Sequence, residues 1–141
     1  FDATVGLGEA LMRPTRIYVA ACRALIDNGA RALAHITGGG LVENIPRVLP
    51  RGLRAVVDLE SYTLPPLFTW LAEAGGLDRT ALARTFNLGI GLVGVVPAER
   101  AEAVVAALGE IGEDAWVVGR VEAGAGAPLV TLEGGPRWPQ P

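Results

Sequence analysis

The run His35-Ile36-Thr37-Gly38-Gly39-Gly40-Leu41-Val42-Glu43-Asn44-Ile45-Pro46-Arg47-Val48-Leu49-Pro50 holds three consecutive glycines between two apolar segments. Glycines in a row cost conformational entropy and add no packing area. They suit a place where backbone must approach something closely, or bend where a side chain would clash. Before them, Arg31 to Thr37 reads as a buried strand. After them, Glu43 to Leu49 reads as a short helix with Pro46 tolerated in its first turn. Strand, glycines and helix start together present backbone N–H groups suited to an anion. The same pattern also serves as a plain strand-to-helix turn with no ligand.

Outward from this turn the chain alternates between helix and strand signals. Phe1 to Glu9 reads as the end of a loop. Pro14 opens a helix with Ile17, Val19, Ala21, Ala24 and Leu25 on recurring faces, stopped by Asn28-Gly29. Arg54 to Leu59 is a second strand. Pro65-Pro66 starts a helix ending at Gly75-Gly76, and Asp78 caps a further helix over Arg79 to Thr85. Gly89 to Val96, apolar on both faces, predicts a central strand. Pro97-Ala98-Glu99 begins an amphipathic helix with Ala103, Val104, Ala107 and Leu108 inward. Ala115 to Val121 and Leu129 to Leu132 are the last strands. Residues 1–133 form one domain, and 134–141, with three prolines, form a flexible tail. The fold class is α/β, of the α+β type: a layered mixed sheet with flanking helices.

Composition narrows the function. The chain has 141 residues, half of them hydrophobic, and a net charge of −3; its mean hydropathy is +0.37. This is enough for one domain with a real core. Charges, Gly or Pro interrupt every apolar run before it reaches the length of a membrane span. No N-terminal stretch reads as a signal peptide. All 12 basic residues are arginine. A lysine nucleophile, a Schiff base and a Walker-type phosphate loop are therefore excluded. The acidic balance argues against nucleic acid as a partner. The single Cys22 allows no internal disulfide, fits a reducing, cytoplasmic setting, and reads as a buried, inert thiol.

The chemistry-bearing residues cluster near the glycines. His35, the only histidine, is of the one residue type that ordinarily titrates near neutrality, suited to a general acid or base; a lone histidine in an apolar strand also serves as a core residue. Thr37 supplies a hydroxyl, and Gly38, Gly39 and Gly40 supply N–H donors for a phosphate or developing oxyanion. Asn44 is expected to be catalytic together with His35, since it can hydrogen-bond an amide or amidine; it can also merely cap the following helix. Arg47 can pair with a phosphate or with a neighbouring domain. Asp58 and Glu60 alone are too few for a metal site, and no metal ligand is assigned.

Three ordered segments carry a family resemblance: Gly8 to Val19 (Gly-Glu-Ala-Leu-Met-Arg-Pro-Thr-Arg-Ile-Tyr-Val), Ala34 to Pro50, and Arg84 to Val93 (Arg-Thr-Phe-Asn-Leu-Gly-Ile-Gly-Leu-Val). A weaker match runs from Gly112 to Gly119. Together they resemble the C-terminal domain of phosphoribosylformylglycinamidine cyclo-ligases, the aminoimidazole ribonucleotide synthetases. The resemblance implies a layered α/β domain of partly ferredoxin-like topology. It implies ATP- and Mg²⁺-dependent ring closure of formylglycinamidine ribonucleotide to aminoimidazole ribonucleotide, a step of purine synthesis. It also implies a catalytic role for His35 and a substrate-lining role for Asn87. The ribonucleotide is the expected substrate and a homodimer the expected assembly. In this family ATP and Mg²⁺ are bound mainly by an N-terminal domain with no counterpart here. The chain is thus expected to be the C-terminal part of such an enzyme, inactive alone. Hydrogenase-maturation, thiamine-phosphate, selenophosphate and amidotransferase-type relatives are the rival enzymes. A non-catalytic docking module is the rival outside enzymes.

Overall fold

The computed structural model describes residues 4–135. Its helices are α1 (Leu7–Leu11), α2 (Val19–Asp27), α3 (Gly40–Asn44), α4 (Pro66–Gly75), α5 (Arg79–Thr85) and α6 (Ala101–Glu110). Its strands are β1 (Ala32–His35), β2 (Leu53–Asp58), β3 (Leu92–Val95), β4 (Gly119–Ala123) and β5 (Leu129–Glu133). Single 3₁₀ turns follow α3 (Ile45–Val48) and precede α6 (Ala98–Arg100). The α/β class stands, and the larger sheet is mixed. In the order β4-β2-β5, β2 runs antiparallel to β4 and parallel to β5.

The strands form two sheets rather than one. Among the described residues β3 pairs only with β1, antiparallel, with His35 opposite Leu92. The expected central strand over Gly89 to Val96 is therefore half of a two-stranded ribbon. Its two apolar faces have a different cause. Val93 and Val95 pack on a large core that includes Ile36, Leu41, Val57, Leu82 and Leu88. Leu92 packs on a second, smaller core of Ala21, Leu25, Val104 and Leu108 between α2 and α6. The ribbon is sandwiched between two cores, so both faces are apolar without a second strand neighbour. Leu41, Leu82 and Leu88 are wholly buried, and each such side chain contributes about 1.5–3 kcal/mol.

Local signals set most boundaries, and tertiary contacts move the rest. The Asp78 Oδ1 accepts the Ala81 N–H at 2.8 Å and caps α5. Gly76, left-handed at φ 60°, ends α4. The helix expected from Pro14 starts only at Val19. Upstream, Arg16 is tied to Glu113 (3.2 Å) and the Gly112 carbonyl (3.3 Å), and a Cβ on Gly91 would collide with the Tyr18 ring. These contacts hold residues 16–18 off the helix path. Within the expected loop Phe1 to Glu9, residues 7–9 open α1, with the Gly6 carbonyl accepting from Ala10 N. The helix expected over Glu43 to Leu49 begins earlier, at Gly40, and tightens into 3₁₀ from Ile45. β4 begins at Gly119 instead of Ala115, because Trp116 packs on Tyr62, ring centres 5.3 Å apart. Gly119 has no Cβ to obstruct the Val56 carbonyl. On α6 the inward pair is Val104 and Leu108, and Ala103 faces solvent. The proposed tail falls largely on 136–141, outside the described residues.

Candidate functional site

The glycine run turns the chain out of β1 and straight into α3. Each glycine has a different reason to be there. Gly39 lies at φ 93°, and a Cβ on it would press on the Glu43 side chain. Gly40 is buried at φ 57°, where a Cβ would overlap the carbonyls of Ala83 and Phe86 at the end of α5. Gly38 meets nothing within 4 Å and is exposed. Two of the three are thus required by close approach and left-handed backbone.

Asn44 holds this turn from beneath. Among the described residues it is the one buried polar side chain, 5% exposed. Its Nδ2 donates to the carbonyls of Gly40 (2.8 Å), Gly38 (3.1 Å) and, at a longer 3.4 Å, Thr37. Its Oδ1 accepts from Arg47 Nη1 at 3.0 Å. Both ends of the amide are engaged inside the domain. Pulling the carbonyls inward leaves Thr37 and Gly38 at the surface. Arg47 is exposed and braces Asn44.

The segments that surround the turn meet at one end of the β1–β3 ribbon. Ile36 N–H donates to the Gly91 carbonyl at 2.9 Å, and Gly40 packs against the end of α5 and Phe86. Asn87 forms a tight turn: its Oδ1 accepts from Gly89 N at 3.0 Å, and its carbonyl accepts from Ile90 N at 2.9 Å. Leu88, wholly buried, is held at φ 58° there. The Tyr18 ring meets the His35 imidazole edge-on, centres 6.0 Å apart. Through Arg16 the Gly112–Glu113 corner joins the same region. Parts far apart in sequence therefore meet around His35 and the glycine turn.

His35 is exposed. It lines an open cleft of about 550 Å³ shared with Arg16, Tyr18, Cys22 and Arg23. His35 thus faces α2, while Asn44 lies under the turn and Arg47 reaches Asn44. Cys22, expected to be buried, is half-buried on this cleft. Tyr18, Arg16 and Arg23 were not singled out from sequence as site residues. Arg16 and Tyr18 lie within the first resemblance segment, which was a usable signal; nothing in the sequence marks Arg23.

A second cavity, about 530 Å³, lies between the two sheets and is lined mainly by valine, alanine and leucine. Among the described residues no three His, Cys, Asp or Glu side chains gather where a metal ion could be held.

A family model described as AIR synthase related protein, C-terminal domain, matches residues 1–130. The chain belongs to this family. Members of the AIR synthase related family are often ATP-dependent enzymes, and the α/β architecture with its mixed sheet is consistent with the family's domain. Among the described residues no helix is long and apolar enough to cross a membrane.

Proposed function

We propose that this AIR synthase related domain belongs to a phosphoribosylformylglycinamidine cyclo-ligase and supplies part of its ribonucleotide-binding wall. The reaction converts formylglycinamidine ribonucleotide and ATP to aminoimidazole ribonucleotide, ADP and phosphate. One observation carries this reading: the three segments that resemble the cyclo-ligases meet around His35 and the glycine turn.

Ring closure joins the amidine nitrogen to the formyl carbon. The formyl oxygen leaves as phosphate after accepting a phosphoryl group from ATP, and a proton leaves the attacking nitrogen. The exposed His35 imidazole is the group on this domain suited to take that proton. Thr37 and Gly38, at the surface of the turn, are suited to hold the substrate against it. Asn44, Arg47 and Asn87 act by shaping the backbone that carries these groups. In the protein that carries this domain and turns over, His35→Ala is expected to lower kcat by about 10²-fold or more, the usual contribution of a general base, with KM little changed. Near-normal turnover would remove His35 from this role. Calorimetric titration of the chain with formylglycinamidine ribonucleotide tests the assignment directly. Saturable binding is expected, and a folded chain that binds no ribonucleotide would refute it.

A further inference from the structure

The cleft beside α2 gathers two guanidinium groups and an imidazole from separate elements. Arg16 comes from the segment before α2, Arg23 from α2 itself and His35 from the end of β1. Arg16 spends only one edge of its guanidinium: Nη2 serves both Glu113 and the Gly112 carbonyl. Its side chain remains 56% exposed, leaving further N–H donors for a ligand. Arg23 makes no ion pair among the described residues. Tyr18 lines the same cleft, its ring edge-on to the imidazole. Two carboxylates bear on the same space: Glu113, engaged by Arg16, and Asp27, one turn beyond Arg23 on α2.

We infer that this cleft binds the phosphate of a phosphate monoester between Arg16 and Arg23, beside His35. Guanidinium groups favour phosphate because their planar N–H donors match its oxygens two at a time. The Glu113 contact holds the Arg16 guanidinium in place, so less side-chain freedom is lost on binding. Asp27 opposes the anion and limits affinity, so selectivity has to come from two-point contact. The apolar rim of Val19, Ile26 and Leu92 suits the less polar face of an attached sugar. The ribonucleotide identity of that sugar rests on the proposed function; the anion site rests on the cleft alone.

The chain has one histidine, so one imidazole signal in a ¹H–¹³C NMR spectrum reports this cleft. The full chain is titrated at fixed pH and matched ionic strength with inorganic phosphate, ribose 5-phosphate, formylglycinamidine ribonucleotide and, as a control, chloride. The expected result is a saturable imidazole shift with the phosphate compounds and none with chloride. Arg23→Gln, at an exposed position, is expected to weaken ribose 5-phosphate binding about tenfold or more, and Arg16→Gln to do likewise. An unmoved imidazole, the same shift with chloride, or unchanged affinity in both folded variants would overturn the proposal. Ribonucleotide binding that leaves the imidazole unmoved also overturns it and removes His35 as the base, whereas the binding itself still supports the ribonucleotide wall. Phosphate binding at this cleft with no added affinity for the ribonucleotide supports the anion site and counts against the cyclo-ligase reading.

Discussion

Replacing Asn44 tests whether the glycine turn is held by that side chain. Asn44→Ala removes the donor that joins the carbonyls of Gly40 and Gly38 at 2.8 and 3.1 Å. Each such bond contributes about 1 kcal/mol net, and an acceptor left buried without a partner costs about 1–3 kcal/mol. The Gly38 carbonyl can turn to water, whereas Gly40 is buried. The long bond to Thr37 and the part-buried contact with Arg47 add little. The expected loss is about 2–4 kcal/mol, a large share of the 5–15 kcal/mol typical of a domain. For a chain of this size that lowers the melting temperature by about 10 °C. Urea unfolding followed by tryptophan fluorescence, with a thermal melt by circular dichroism, measures it. Asn44→Asp supplies the sharper comparison. A carboxylate there faces carbonyls with no hydrogen to give, so at neutral pH the loss is at least as large. It shrinks in acid, where the protonated carboxyl can donate once. A loss below about 0.5 kcal/mol in Asn44→Ala would sink the reasoning, because buried hydrogen bonds of this kind do not come so cheaply. Stability retained together with ribonucleotide binding lost would instead assign the amide to the ligand.

The glycines are expected to differ sharply from one another. Gly40→Ala drives a Cβ into the Ala83 and Phe86 carbonyls at positive φ and is expected to cost about 3 kcal/mol or more. Gly38→Ala meets nothing within 4 Å and is expected to be neutral or stabilising by up to about 1 kcal/mol; equal melting temperatures for the two variants would contradict this. Asp78→Ala is expected to lose about 1 kcal/mol through the α5 cap, read from denaturant midpoints. Burial raises the Tyr62 phenol well above its ordinary value of 10.0. The folded state therefore keeps the proton that the unfolded chain releases above about pH 10. The associated stability is complete below that pH and is lost as pH rises further. Urea midpoints are expected to fall above about pH 10 in the native sequence and to fall less in Tyr62→Phe; parallel profiles would reject the linkage. Gly91→Ala displaces Tyr18 from beside His35 and is expected to shift the imidazole resonance before any ligand is added.

Much of the architecture was legible in the residues themselves. Asp78, Pro66 and the glycine at 76 act through their own backbone preferences, so the ends of α4 and α5 could be read directly. The apolar segments at Ala32–His35, Leu53–Asp58, Leu92–Val95 and Leu129–Glu133 announced strands because a short apolar run between turn residues is a local property. Periodicity says which residues seek burial, but it does not say what buries them. For that reason Gly89 to Val96 looked like the middle of a sheet and proved to be a ribbon between two cores.

By itself the sequence determined the α/β class, the order of the elements from α2 onward and the concentration of chemistry near His35 and the glycines. These follow from short-range sterics and from a pattern the three segments share with one family. Only the tertiary structure decided what those residues do for one another. It turned Asn44 inward onto the carbonyls of Gly38 and Gly40, and it gave Gly39 and Gly40 separate duties. It also brought Arg16, Tyr18, Arg23 and His35 to one cleft. The physical reason is that hydrogen bonds, close contacts and ion pairs act through space. The partners here lie as far apart as Arg16 and Gly112, 96 positions along the chain, and no local preference encodes such a meeting.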